Sequence, residues 1–160
     1  MSTPEEPDGS KVNTSVGEGH FAIRYSNFWR LGLGIIGLGP SFSGVDLDAE
    51  ELRIRFGWGF TMRAPRSSVA RAGRFDHHVW YSLGAHTNLR GRWLVNGSGH
   101  GLVRIILSER GSGTSSGFPI HPHDVLVSLE DPDGFLAALG ASPLGPDDTG
   151  LWSKPAPEPS

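Results

Sequence analysis

The sequence predicts a mainly β fold: an antiparallel barrel or sandwich of about seven strands, closed by one short C-terminal helix. Three observations lead there. Apolar and polar residues alternate over several short stretches, the period of a half-buried strand. Clusters of Gly, Pro, Asn, Asp and Ser separate these stretches at short intervals. Helical periodicity appears last in the chain, so the strand–helix alternation of a parallel sheet is missing.

Phe21 to Trp29 is rich in aromatic and β-branched residues and reads as the first strand. Gly44 to Asp48 places Val45 and Leu47 on one face, and the acids from Asp46 to Glu51 read as a solvated turn. Glu51 to Trp58 alternates cleanly, with Leu52, Ile54, Phe56 and Trp58 on one side and Arg53 and Arg55 on the other. Gly57 and Gly59 mark a tight turn or bulge. Phe60, Met62 and Ala64 form the return arm, which Pro65 ends because it cannot donate to a ladder. A further strand or turn begins at Ser67, and Val79 to Leu83 has strand composition. Arg92 to Val95 and Gly101 to Leu107 read as a hairpin around Asn96-Gly-Ser-Gly-His100, a turn of residues that accept positive φ. Ser108 to Gly117 reads as a mobile Gly/Ser loop. Val125 to Leu129 is the last strand. Asp131 can then cap a helix whose first residue is Pro132. Phe135, Leu136 and Leu139 share its apolar face, and Gly140 stops it. Trp80 and Trp93 join those three side chains as expected core residues.

The chain has 160 residues, enough for one domain. Residues 1–19 and the Pro-rich residues 141–160 carry too little apolar surface to offset the entropy of ordering, so both read as disordered tails around a domain at 20–140. Trp152 is the tail residue able to dock back. There are no cysteines, which excludes disulfides, thiolate zinc sites and cysteine nucleophiles. The longest apolar run, residues 31–39, is far below the ~20 residues needed to span a bilayer. With an acidic, polar N-terminus that does not look like a signal peptide, the expected compartment is the cytoplasm. Net charge is −3, and no nucleic-acid partner is expected. All of the arginines nevertheless lie between Arg24 and Arg110, which makes the domain itself basic. Arg53, Arg55, Arg63, Arg66, Arg71 and Arg74 form either a solvated strand surface or an anion-facing patch.

Val45-Asp-Leu-Asp-Ala-Glu-Glu-Leu-Arg-Ile-Arg-Phe-Gly-Trp58, followed by Arg63-Ala-Pro-Arg-Ser-Ser-Val69, resembles the bacterial pleckstrin-homology-like (PH-like) domains. Their pattern is an acidic turn, an arginine-bearing strand, a short return strand and an "I-P-x-S-x-I" motif. Ser128 to Leu139 resembles the final strand and capping helix of the same domains, and Arg90 to Ser98 resembles an uncharacterised group from high-GC bacteria. The resemblance spans about residues 42–140. It implies a PH-like barrel used for binding or assembly, with no catalytic residues and no cofactor.

Candidate chemistry is sparse. Gly32-Leu-Gly-Ile-Ile-Gly37 has dinucleotide-loop spacing, but Pro40 follows and no helix opens there to receive phosphates. Gly113-Thr-Ser-Ser-Gly117 has nucleophile-elbow spacing without the flanking strand and helix. Asp76-His-His78 and His121-Pro-His-Asp124 could converge on zinc, which would make the chain a metal-using or small-molecule barrel, possibly an enzyme. The leading expectation is a non-catalytic module that binds a protein or a membrane surface. Trp29, Leu33, Ile35, Ile36 and Leu38 are its candidate partner contacts, and Arg90, Arg92 and Arg104 are its candidate anion contacts as an outward strip. A structural homo-oligomer joined through strand edges is the third expectation.

Overall fold

A computed structural model describes residues 17–24, 43–76, 84–87, 91–96, 98 and 100–148. Among them are eleven strands and one α-helix. The first group of strands is β1 (Gly19–Phe21), β2 (Ser43–Leu47), β3 (Glu51–Phe56), β4 (Phe60–Pro65) and β5 (Val69–Arg74). Then come β6 (Gly84–Thr87), β7 (Arg92–Asn96), β8 (Leu102–Leu107), β9 (Ser112–Ser115), β10 (Phe118–Ile120) and β11 (Asp124–Ser128). The helix, α1, is Pro132–Leu139. A six-stranded antiparallel sheet has the order β1-β2-β3-β4-β9-β10, and a five-stranded sheet has the order β5-β8-β11-β7-β6. The mainly β class and the short C-terminal helix agree with the sequence reading; the strand number exceeds it.

The first sheet follows the alternation closely. Val45, Leu47, Leu52, Ile54, Phe56, Phe60, Met62 and Ala64 are all buried in one cluster. The period-2 geometry sends Asp46, Arg53, Arg55, Thr61 and Arg63 to the opposite face. Asp48 shapes the β2–β3 turn, its Oδ1 accepting from the backbone N–H groups of Glu50 at 2.9 Å and Glu51 at 2.6 Å. Trp58 departs from its expected place. It sits in the turn after β3, where the alternation ends, and is 70% exposed.

The expected mobile Gly/Ser loop is instead a hairpin, β9–β10, that extends the first sheet through β4. Its two turn residues, Ser116 and Gly117, have φ of 49° and 84°. Positive φ at both central positions is the primed turn that matches strand twist, and Gly117 adopts it without steric cost. Gly and Ser carry no hydrophobic period, so this strand pair left no trace in the pattern.

The second sheet holds the larger departure. β7 and β8 do not pair as a hairpin: β11 lies between them, parallel to β7 and antiparallel to β8. The sheets are therefore not uniformly antiparallel. The link between β7 and β8 crosses the end of β11, where Leu129 N–H donates to Gly101 O at 2.8 Å. Trp93, Val95, Val103, Ile105, Leu107, Val125 and Val127 face the first sheet and complete the main core. The other face of this sheet is covered too, because Phe75, Leu94, Leu102 and Leu126 form a second buried cluster. Strands buried on both faces read as nearly continuous apolar runs rather than alternating ones.

The capping helix is built as its sequence implies. Asp131 Oδ1 accepts from Gly134 N–H at 2.9 Å, and the chain turns left-handed at Gly140. Gly134, unfavourable in a helix by propensity, leaves room for the cap: a Cβ there would meet the Asp131 carboxylate, which would have to shift. Phe135 is fully buried and meets Phe21 edge-on with ring centroids 5.2 Å apart. Such a pair is worth about 0.5–1.5 kcal/mol beyond its area. Leu139 is buried and Leu136 packs partly against the core. Arg66 holds the helix end: its guanidinium donates to the carbonyls of Ala138, of Leu139 at 3.2 Å and of Gly17 at 2.9 Å. The carbonyls of Ala138 and Leu139 are orphans of the helix C-terminus, where a cation is favoured.

Beyond α1, residues 141–148 run along the second sheet. Ser142 bridges Arg71 in parallel, its carbonyl accepting from Ala72 N–H at 2.9 Å. Leu144 rests where a side chain on Gly73 would point. Asp148 is buried, takes Gly145 N–H at 2.7 Å and pairs with Arg71 Nε at 3.1 Å. This strap closes the β5 edge of the second sheet.

Candidate functional site

The basic strand residues come first, because the sequence offered them as an anion patch. The fold neutralises most of them locally. Arg53 Nη2 lies 2.5 Å from Glu51 Oε1, Arg55 Nη2 lies 2.8 Å from Asp46 Oδ2, and Arg71 is held by Asp148. Arg74 makes two bonds of 2.6 Å to Asp133 in the first turn of α1. This contact raises the pKa of Arg74 and lowers that of the Asp133 carboxyl. Arg66 is spent on carbonyls. Arg63, exposed on β4 and opposite Arg53, has no carboxylate partner among the described residues.

Asp46 is the centre of the outer face of the first sheet. His20 Nδ1 lies 2.6 Å from its Oδ1, while Arg55 holds Oδ2. Partial burial pushes the Asp46 carboxyl up, but the hydrogen bonds from His20 and Arg55 and the Arg55 charge outweigh it and leave the group below its ordinary value. Asp48 is held down as well, by the two backbone N–H groups of its turn.

The expected outward strip of Arg90, Arg92 and Arg104 is not what the fold builds. Arg90 lies outside the described residues. Arg104 is 1% exposed, on the face of β8 that carries the second apolar cluster. Its Nε and Nη2 donate to Asp124 Oδ1 at 2.9 Å and Oδ2 at 2.5 Å, a bidentate pair between β8 and β11. Arg92 Nε reaches the same Oδ2 at 3.3 Å from β7. Two of the three candidate arginines are thus brought together, but around a buried carboxylate that was not singled out with them. The correction has a simple cause. In a sheet covered on both faces, a polar residue in a strand does not have to point to solvent.

The histidine clusters are half visible. His77 and His78 lie outside the described residues, as do Trp80, Trp152 and the candidate contacts Trp29, Leu33, Ile35, Ile36 and Leu38. Among the described residues no group of three or more metal-ligating side chains forms. His121 is exposed and His123 half-buried, ahead of β11. The G-x-S-x-G spacing falls on the β9–β10 hairpin, where no helix follows.

What the sequence reading missed is an aromatic corner. Trp58 is 70% and Phe118 74% exposed, the large apolar side chains most open to solvent among the described residues. They belong to neighbouring turns. Ser116 N–H donates to Gly59 O at 2.8 Å, so the β9–β10 turn is tied to the β3–β4 turn. Ser43 joins the same end of the sheet, its Oγ accepting from Gly57 N–H at 2.8 Å. Residues 52–64 and 110–120, around the two turns, contain four arginines and no carboxylate; the acid of the first hairpin, Glu51, stands at its far end. The one available signal was Trp58 between two glycines; Phe118 sits in a segment without periodicity.

No protein-family model matches this chain, and no curated protein or solved structure is similar enough to it to count as a match. The functional reading therefore rests on the geometry alone.

Proposed function

We propose that this chain is a non-catalytic binding module of PH-like fold that docks its aromatic corner on an anionic membrane surface. The PH-like reading draws support from the antiparallel meander β2-β3-β4, the second sheet packed against it and the C-terminal helix anchored over the core. The carrying observation for function is the corner itself: Trp58 and Phe118, both exposed, beside two turns joined by a backbone hydrogen bond, with no carboxylate in residues 52–64 or 110–120. Exposed aromatic rings are costly in water and favoured at the headgroup level of a bilayer. Behind them on the outer face of the first sheet, Arg63, which has no carboxylate partner among the described residues, meets anionic headgroups. Pro119, in the middle of edge strand β10, lacks an N–H and blunts pairing with a foreign strand, which favours a surface over a strand partner.

The test is flotation of the full chain with vesicles of phosphatidylcholine, with and without phosphatidylglycerol. The wild type should float only with the anionic vesicles. Trp58→Ser with Phe118→Ser should lower the vesicle partition at least about tenfold, since each ring contributes on the order of 1.5–3 kcal/mol when fully buried. Both side chains are largely solvent-exposed, so the double variant should still fold and unfold cooperatively. A wild type that stays with the free protein, or a double variant that floats equally well, would refute the proposal.

A further inference from the structure

We infer that the outer face of the first sheet carries a seat for a singly charged phosphate diester, the group that joins a phospholipid to its headgroup, with Arg63 as its anchor; the seat rests on the membrane reading for the source of that diester.

The β ladder brings the seat together. His20, Asp46, Arg53, Arg63 and Ser112 form one cross-strand row over β1, β2, β3, β4 and β9. Residues directly opposite share a face, with Cβ atoms about 4.5–5.5 Å apart. Arg63 therefore stands against Arg53 on one side and Ser112 on the other. Thr61, two residues back on β4, lies on the same face and is opposite Thr114 of β9.

The charges on this face leave one cation over. Arg53 pairs with Glu51 at 2.5 Å, and Arg55 pairs with Asp46 at 2.8 Å. Arg63 is exposed and has no carboxylate partner among the described residues. Its direct opposition to Arg53 is unfavourable, because like charges across a ladder destabilise it. Where the neighbouring charges are matched and one position breaks the rule, a functional role accounts for the break.

The surroundings of Arg63 select the ligand. A guanidinium fork fits two phosphate oxygens. The hydroxyls of Thr61, Ser112 and Thr114, on two strands, supply donors for the oxygens outside that plane. A planar carboxylate would be served by the fork alone. One surplus positive charge matches a diester, whereas a phosphomonoester carries nearly two negative charges past Asp46 and Glu51. Arg63 stands three residues from Phe60, where β4 leaves the Trp58 turn, about 10 Å along the strand. With the rings at headgroup level, a sheet that leans its outer face on the bilayer brings the long Arg63 side chain to the phosphates.

The test uses the isotope-labelled full chain and glycerophosphoglycerol, the soluble headgroup of phosphatidylglycerol. Titration should shift the Arg63 Nε–Hε resonance and the amides of Thr61 and Ser112 saturably, beyond the change caused by sodium chloride at equal ionic strength. Arg63→Gln should weaken both this binding and flotation with phosphatidylglycerol vesicles about fivefold, the loss expected for one basic residue at an anionic surface. Arg63→Lys keeps the charge without the fork, so it should restore flotation more than headgroup binding. Arg24→Gln removes the same charge from an exposed residue outside this row and should leave both unchanged. Shifts at Arg63 in a chain that does not float would sink the membrane reading and keep the diester seat. Flotation without shifts at Arg63, or equal losses in Arg24→Gln and Arg63→Gln, would overturn the seat and leave the membrane reading standing. Tighter binding of inorganic phosphate, or of a short oligothymidylate, than of the headgroup would overturn the assignment to a lipid diester.

Discussion

The pair Arg104–Asp124 allows a sharp energetic test of how β11 is held between β7 and β8. Asp124→Leu removes a carboxylate that accepts two guanidinium N–H groups of Arg104, at 2.9 and 2.5 Å, and lies 3.3 Å from Arg92 Nε, and it leaves the two cations without that charge between them. Breaking a buried ion pair from one side costs about 3–5 kcal/mol, and this substitution belongs at the top of that range. Arg104→Met should cost less, about 3 kcal/mol, because Arg92 still sits 3.3 Å from the orphaned carboxylate. The double substitution, Arg104→Met with Asp124→Leu, replaces the pair by apolar groups that suit the Leu94, Leu102 and Leu126 surroundings. Such replacements are often neutral or stabilising, so its loss should be about 1 kcal/mol or less. The two single losses then exceed the double loss by more than about 3 kcal/mol, far outside the ~0.5 kcal/mol within which independent sites add. Urea unfolding reads this through shifts in midpoint at constant slope. If the singles simply sum to the double, the two side chains do not act as a unit and the described pairing is wrong.

Three further outcomes are expected. Gly117→Ala should destabilise by about 1–2 kcal/mol, the cost of a left-handed φ for a residue with Cβ. No atom lies within 4 Å of the added methyl, so a neutral result in urea unfolding would contradict the primed turn. Asp131→Ala removes the N-cap acceptor of Gly134 N–H and should cost about 1 kcal/mol, read as faster amide exchange in the first turn of α1. Asp46 gives a pH signature. Its folded carboxyl lies below its ordinary value of 3.8, so its contribution is fully present above that value and is lost as pH falls through the lower, folded one. The stability gap between wild type and Asp46→Asn should therefore be open at pH 7 and shrink towards about pH 2; a gap that stays constant over that range would mean Asp46 is not held by His20 and Arg55.

The parts of the fold that the sequence revealed are those where one face meets solvent. In β3 and β4, Leu52, Ile54, Phe60 and Met62 alternate with Arg53, Arg55, Thr61 and Arg63, and the sheet follows. The C-terminal helix was legible for a different reason: Asp131, Pro132 and Gly140 each satisfy a local backbone demand that no distant residue can override. β7, β8 and β11 were legible as strands, but their pairing was not, because they are central strands covered on both sides. Leu102-Val-Arg-Ile-Ile-Leu107 and Val125-Leu-Val127 are apolar almost throughout, and such runs do not declare which neighbour they take. A short loop between β7 and β8 suggested direct pairing, and only tertiary packing places β11 in between.

The same physics explains why the charged cluster was misread and why it matters. A single arginine in an apolar strand and a single aspartate at the head of another are ambiguous one at a time. Each is readily assigned to a solvated face, since charged residues are rarely buried unpaired. Taken together they have a different meaning: two strands that are otherwise apolar carry one charge each, of opposite sign, 20 positions apart. Such a pair specifies adjacency, because any arrangement that separates β8 from β11 would bury Arg104 or Asp124 without its partner. The hydrophobic pattern of these strands permits several pairings, and the ion pair penalises all but those that keep the two side chains in contact. The arginines of the first sheet are under no such constraint, since Arg53, Arg55 and Arg63 reach water whatever their neighbours do. That contrast separates the roles. Arg53 and Arg55 of the outer face make part-exposed ion pairs that water can replace, whereas Arg104 is committed to the arrangement of the fold.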